Sequence, residues 1–286
     1  MGVIDIIFSL NCEWLLSIGK DKKFVWLCSE TTRRLGCFDV GEFCTSLQFD
    51  SPAKYVFIGD NAGNISVLRL RDNSYELITR LSAHSGCIKS LVWDAERQLL
   101  FSGSHDQLII EWDIGSKRGS AIELFGHGSR IVDLKLASGF KRLFSADESG
   151  LVLCWNTDVS RKETPRWATS DICQQCDSPF FWNVKDMWTK KIVGARQHHC
   201  RVCGRAVCDK CSKHELKYPP MGYEREIRLC DRCFDELGNQ TFEPLAIPHE
   251  TRHRIICISL DEMAGKLLTV GTDKFLKIWD VKKALQ

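Results

Sequence analysis

The chain has 286 residues, room for one large domain or two ordinary ones. Its 39 Lys and Arg against 37 Asp and Glu leave a formal charge of +2, which excludes a function resting on bulk attraction to nucleic acid or to an anionic surface. An apolar share of 44% with 27% charged residues belongs to a folded chain and not to a disordered one.

Apolar runs are interrupted well before the roughly 18 residues that a membrane-spanning helix needs, so none is expected. Residues 1–10 carry Asp5 inside their apolar run and no basic flank, which argues against a secretion signal. Ile6 stands where an acylation signal beginning at Gly2 requires Ser or Thr.

From the amino end, one pattern recurs. Residues 17–28 and 58–69 are weak copies, residues 102–113 and 145–156 strong ones, and residues 269–280 the last. Each joins two short apolar runs through a turn of Gly, Asp, Asn or Ser, the signal of strand, turn and strand. The three strong copies end in Trp112-Asp113, Trp155-Asn156 and Trp279-Asp280; Leu27, preceded by Trp26, and Leu68 hold the Trp slot in the weak ones. Those slots are spaced by 41, 44, 43 and 124 residues, so the last interval exceeds one repeat of 43 by 81. An insert of about that size is expected after the fourth copy, since a loop on a repeat's rim lengthens at little cost.

His84 lies four residues before Ile88 and seven before Leu91, and His127 stands in the same relation to Ile131 and Leu134. With the Trp-Asp ends, this set resembles WD40 repeats, which build propeller blades of four strands at a period of about 40 to 45 residues. The resemblance implies an all-β propeller in which these His, Trp and Asp residues hold strands and turns together and catalyse nothing. A ring of this family has seven blades closed by an amino-terminal strand. Five are recognisable here and residues 3–10 open directly on an inner strand, so the chain is expected to be amino-terminally shortened.

Fifteen cysteines, an odd number, suit a disulfide framework poorly. Eight form four pairs with two intervening residues, Cys173/Cys176, Cys200/Cys203, Cys208/Cys211 and Cys230/Cys233, separated by gaps of 23, 4 and 18. Such spacing lets one turn present two thiolates to a tetrahedral ion, and four thiolates close a structural zinc site. Two zinc ions are therefore expected. The short gap of four argues against pairs that neighbour in sequence sharing an ion, and a cross-brace is expected: Cys173, Cys176, Cys208 and Cys211 on one zinc, Cys200, Cys203, Cys230 and Cys233 on the other. The remaining Cys12, Cys28, Cys37, Cys44, Cys87, Cys154 and Cys257 read as small core residues. A module of about 70 residues with few aliphatic side chains needs metal to fold.

The residues around the pairs are distinctive. Trp167 and Asp171 precede the first; Arg196-Gln197-His198-His199-Cys200-Arg201 surrounds the second; Arg228-Leu229-Cys230 opens the fourth. Between Lys190 and Arg205 stand Lys190, Lys191, Arg196, Arg201 and Arg205 and no acid. This combination resembles FYVE domains, and with the repeats the whole chain resembles the WD-repeat and FYVE-domain-containing family. The expected organisation is four blades over residues 1–160, a FYVE-type module over 166–236 inserted before the last blade, and a last repeat over 245–286.

The resemblance implies binding of phosphatidylinositol 3-phosphate, early endosomal membranes met from the cytoplasm, a non-enzymatic adaptor role, and a propeller that binds proteins and no nucleic acid. Arg196, His198, His199, Arg201 and Arg228, with Trp167 and Asp171, would form the headgroup pocket, and Ile192 and Val193 the membrane-inserting loop. Arginine forks and imidazole N–H groups suit a phosphomonoester, while Asp171 can accept from inositol hydroxyls. Gln197 stands where the family has a second basic residue, and Trp167 and Asp171 are one residue further apart than usual. The long gap after Cys176 holds Phe180, Phe181, Trp182, Met187 and Trp188, and its aromatic residues on the Cys176 side of Ile192 and Val193 are expected to pack that loop onto the zinc core. The alternative reading is a zinc module for protein interaction or ubiquitin ligation without lipid binding. It is opposed by the absence of a Cys-x-His-x2-Cys centre.

Overall fold

The computed structural model describes residues 2–115 and 121–286; Met1 and residues 116–120 lie outside them. The chain divides into two compact units, Met1–Ser120 with Gly126–Val159 and Ala246–Gln286, and Ala121–Phe125 with Ser160–Leu245.

The first unit is a series of antiparallel sheets in which each strand pairs with the next in sequence. Strands β1 (Val3–Ser9), β2 (Trp14–Gly19), β3 (Lys23–Cys28) and β4 (Arg34–Asp39) form the first sheet. The second comprises β5 (Cys44–Asp50), β6 (Tyr55–Asp60), β7 (Asn64–Leu70) and β8 (Tyr75–Ser82). Strands β9 (Ile88–Asp94), β10 (Leu99–Ser104) and β11 (Ile109–Asp113) meander in the same order in the third; β12 (Ala121–Leu124) is counted with the second unit. Strands β13 (Ile131–Ala137), β14 (Arg142–Asp147) and β15 (Leu151–Asn156) begin the fourth.

The second unit holds helix α1 (Val184–Lys190), the hairpin of β16 (Gln197–His199) and β17 (Ala206–Cys208), the hairpin of β18 (His214–Tyr218) and β19 (Tyr223–Leu229), and helix α2 (Asp231–Leu237). After it the chain returns to the first unit as β20 (Ala246–Glu250), β21 (Ile255–Asp261), β22 (Lys266–Gly271), β23 (Leu276–Asp280) and a short helix α3 (Lys282–Leu285). Strand β20 pairs with β15, from Leu151 opposite Glu250 to Trp155 opposite Ala246. The repeat over 245–286 thus supplies the outer strand of the fourth sheet and the three strands of the fifth. Sequence repeat and sheet are offset by one strand, and the 89 residues between Asn156 and Ala246 join two neighbouring strands of one blade.

The first strands of consecutive sheets lie against one another, as the blades of a propeller do. Alternation along the strands accounts for it: Leu16, Ile18, Phe24 and Trp26 of the first sheet bury one face against Val56, Ile58, Leu68 and Leu70 of the second. Polar bridges fix each step. The Thr45 hydroxyl donates to the Ile88 carbonyl at 2.6 Å, and Asp133 accepts from the Ser90 hydroxyl at 3.0 Å on one side and from the Ile258 N–H at 3.1 Å on the other. On the fifth sheet Ile256, Leu276 and Ile278 are exposed, as are Ile4, Ile6 and Phe8 on β1.

Within the blades a relay explains the Trp and His positions. The Trp155 indole donates to the Ser145 hydroxyl at 2.8 Å; Ser145 meets His127 Nε2 at 2.6 Å, and His127 Nδ1 meets Asp147 at 2.9 Å. A carboxylate only accepts, so His127 Nδ1 carries the proton in its contact with Asp147. Trp112, Ser102, His84 and Asp106 repeat it, and Trp279, Thr269, His253 and Asp273 form a looser copy whose last contact is 3.4 Å. The same aspartates tie their turns, Asp147 accepting from the N–H groups of Ser149 and Leu151. Gly150 is required there: its φ is +99°, and a Cβ would lie 2.4 Å from the His253 carbonyl oxygen.

Of the seven scattered cysteines only Cys44 and Cys154 are buried, with thiols pushed up to about 12 by burial. Cys257 is exposed because it lies on the uncovered face of β21 with Ile256 and not among the core side chains. Among the described residues no helix is long and apolar enough to cross a membrane.

Candidate metal centres and anion pocket

The second unit has little aliphatic core, and its buried cluster consists largely of cysteines with Phe180, Val207, Tyr218, Met221, Tyr223, Ile227 and Leu229. The first two cysteine pairs lie on tight turns, Cys208/Cys211 on a 3-10 turn over Asp209–Cys211, and Cys230/Cys233 on the first turn of α2. After Cys173 the turn closes with the Asp177 N–H donating to the Cys173 carbonyl at 2.9 Å, and after Cys200 with Gly204 donating to Cys200 at 2.8 Å. Both turn residues have positive φ, Asp177 at 56° and Gly204 at 75°. The β16–β17 hairpin pairs Gln197 with Cys208, which carries the third pair past the second and back to the first.

Cys173, Cys176, Cys208 and Cys211 form one group and Cys200, Cys203, Cys230 and Cys233 the other, with all sulfurs of a group within 4.8 Å of one another. The cross-braced pairing expected from the gap of four is the observed one. The donor chemistry suits a cation: burial and the neighbouring Cys200 push the Cys233 thiol up to about 12, so four thiolates cannot coexist here without a positive ion. Four sulfur donors closing on one centre match tetrahedral zinc, with no position left for a reacting water. The unit holds two structural zinc ions.

Beside the second group lies a cavity of about 260 Å³ lined by Trp167, Gln197, His198, His199, Arg201 and Arg228. The alternation of β16 turns Gln197 and His199 one way, where Gln197 Nε2 donates to the Ser170 carbonyl at 3.3 Å and His199 Nε2 to that of Ala168 at 3.0 Å. These two bonds hold the irregular segment carrying Trp167 against the cavity. The Trp167 ring stacks on His199, and the Arg201 guanidinium lies over the same indole. His198 turns the other way. Its Nε2 lies 2.6 Å from Asp209 Oδ1. Burial and the Arg228 charge outweigh Asp209 and hold this imidazole below its ordinary pKa. Arg228 is anchored by donating to the Ser212 carbonyl at 2.9 Å.

The structure therefore gathers five of the seven headgroup candidates and leaves two apart. Arg196 is exposed and does not line the cavity. Asp171 accepts from the Trp182 indole at 2.9 Å, outside the lining. Asp209 and Ser212, which set the positions of His198 and Arg228, carried no sequence signal, because only the cross-brace brings the third cysteine pair beside the second. In the long gap Phe180 is fully buried and Met187 half-buried. Phe181, Trp182 and Trp188 are exposed, contrary to the expected packing, because the loop is closed by backbone hydrogen bonds and needs only Phe180 as its anchor. Ile192 and Val193 are also exposed.

The FYVE zinc finger family model matches residues 165–239, and the WD domain, G-beta repeat model matches residues 75–113. The chain is 48% identical to WD repeat and FYVE domain-containing protein 2 of Caenorhabditis briggsae over 96% of its own length and 66% of that protein's. It is 46% identical to the protein 2 of Homo sapiens over 96% of its own length and 69% of that protein's. It spans about two thirds of the length of these relatives. Among solved structures, the computationally designed Ika8 protein aligns with a TM-score of 0.52 over 98% of this chain and 71% of that one, at 14% identity, a likeness of fold alone. On these identities and the two matched modules, the chain belongs to the family of WD repeat and FYVE domain-containing proteins.

Proposed function

We propose that the zinc module, over residues 166–236, binds phosphatidylinositol 3-phosphate and holds the chain on the cytoplasmic face of early endosomes, while the propeller serves as a scaffold for other proteins. The observation that carries this reading is the cavity in which Arg201, Arg228, His198 and His199 converge beside a zinc centre. A phosphomonoester dianion accepts several charge-assisted hydrogen bonds at once, and guanidinium groups held by Trp167 and Ser212 need little further ordering to donate them. Exposed Ile192 and Val193 would enter the bilayer beside the headgroup. Both matched families are binding modules, and we read the chain as a non-enzymatic adaptor.

Sedimentation with vesicles carrying inositol lipids phosphorylated at position 3, 4 or 5 tests the reading. Selective recovery with the 3-phosphate is expected. Equal recovery with all three rejects the 3-phosphate selectivity, and recovery with none rejects the reading in favour of the protein-interaction alternative.

A further inference from the structure

We propose that helix α1 is a second membrane-inserting element, which seats Trp188 and Val184 in the interfacial layer of an anionic bilayer. The proposal rests on the reading that the zinc module faces lipid. It adds an apolar surface that neither the headgroup pocket nor the Ile192–Val193 tip contains.

The segment joining Cys176 to Cys200 is a closed, folded loop. Phe180 is buried in the zinc core, the Phe181 N–H donates to the Ala195 carbonyl at 3.1 Å, and the Ala195 N–H to that of Pro179 at 2.9 Å. Between these ties Asn183 caps α1 by accepting from the Asp186 N–H, and the helix stops at Lys191, whose φ is +53°. The chain then folds back with the Gly194 N–H 2.9 Å from Met187 Sδ, where a Cβ would come within 2.7 Å of the sulfur. Met187 thus marks the packed side of the helix.

Val184 and Trp188, four residues apart, share another side. Trp188 is 86% exposed and Val184 65%. Less than a turn beyond the helix, Val193 is 87% exposed. An ordered helix that holds an indole almost wholly in water gains nothing for its own fold, because burial of that ring is where its free energy lies.

Charge selects the partner. Between residues 178 and 199 stand Lys185, Lys190, Lys191 and Arg196 against one acid, Asp186, which is 3.8 Å from Lys190. Tryptophan and aliphatic side chains ringed by lysines match the layer between phospholipid headgroups and acyl chains, where indole rings settle and lysine stems reach outward to phosphate. The helix continues directly into the exposed Ile192–Val193 tip, so both can meet one surface.

The test uses the full zinc-loaded chain with phosphatidylcholine–phosphatidylserine vesicles, with and without phosphatidylinositol 3-phosphate. Trp188→Ala should weaken partition onto both by about 10- to 100-fold, the range for removing a large apolar side chain. Affinity for soluble inositol 1,3-bisphosphate should stay unchanged, and Trp188→Phe should restore most of the partition. Because Trp188 is 86% exposed, neither variant should disturb the zinc core, and an unchanged zinc content of both verifies their fold. Unchanged partition of Trp188→Ala would overturn the proposal and assign this face to a protein partner. Failure of the headgroup reading is a separate outcome: wild-type chain would then show no preference for the 3-phosphate while its binding to phosphatidylserine vesicles still depended on Trp188.

Discussion

The Trp167 indole lies on the His199 imidazole with 4.8 Å between ring centroids and 13° between planes, and the Arg201 guanidinium carbon is 4.7 Å from the same indole. One aromatic ring thus aligns two of the groups that face the cavity. Aromatic stacking and a partly exposed cation–π contact together contribute on the order of 1–2 kcal/mol. Trp167→Ala should therefore weaken binding to 3-phosphorylated vesicles by about 5- to 30-fold. Zinc content should remain two ions per chain, because Trp167 lies outside the cysteine groups. Vesicle titration with elemental analysis of the same samples checks both.

Arg201 and Arg196 flank the same His-His-Cys run yet differ in placement. Arg201 lines the cavity and Arg196 does not. Loss of a charge-assisted hydrogen bond costs about 1.5–3 kcal/mol, so Arg201→Ala should weaken headgroup binding about 10- to 100-fold. Arg196→Ala should act mainly through long-range charge, with an effect that shrinks as salt rises. Titrations of both variants at two ionic strengths discriminate; equal, salt-independent losses would place Arg196 in the pocket as well.

Two zinc ions per chain should be found by elemental analysis. Since the unit's buried cluster consists largely of ligands, a strong chelator should unfold residues 160–245 while the strands of the blades keep their circular dichroism. A single cooperative collapse of all β-structure on chelation would show that the blades depend on the metals too.

What was legible in the sequence follows from how locally each feature is encoded. The cysteine pairing could be read because a gap of four residues disfavours one ion shared by pairs that neighbour in sequence, and the observed groups are cross-braced. The strong blades could be read from Trp112, Trp155 and Trp279, since one side chain there both fills a core and ends a hydrogen-bond relay. His253 escaped notice: it stands 26 residues before Trp279, against 28 between His84 and Trp112 and between His127 and Trp155. The offset that gives β20 to the fourth sheet was hidden because strand pairing across 89 residues leaves no local signal. Exposure of Trp188 was misread for the opposite reason, as an aromatic residue near a small core predicts burial unless the loop's own hydrogen bonds hold it out.

Acid stability of the blades should depend on the relays. Burial pushes the Asp147 carboxyl up, but hydrogen bonds from His127 and Ser149 outweigh it and hold it below the usual carboxylate range; Asp106 is held down in the same way by His84. The unfolded chain binds protons at the ordinary value of about 3.9. Stability from these two carboxylates is thus fully present above that pH and is lost as pH falls through their lower folded values. Asp147→Asn and Asp106→Asn should each cost about 1–3 kcal/mol at pH 7, because the amide keeps one accepting oxygen where the carboxylate uses two, one toward the imidazole and one toward the turn N–H groups. Both should also flatten the decline in melting temperature below about pH 4. Asp273→Asn should cost less, since that carboxylate is 36% exposed and 3.4 Å from His253. Melting curves at pH 7 and across pH 5 to 2.5 measure both effects. Acid limbs that stay parallel between wild type and Asp106→Asn/Asp147→Asn would show that the relay carboxylates do not govern acid unfolding.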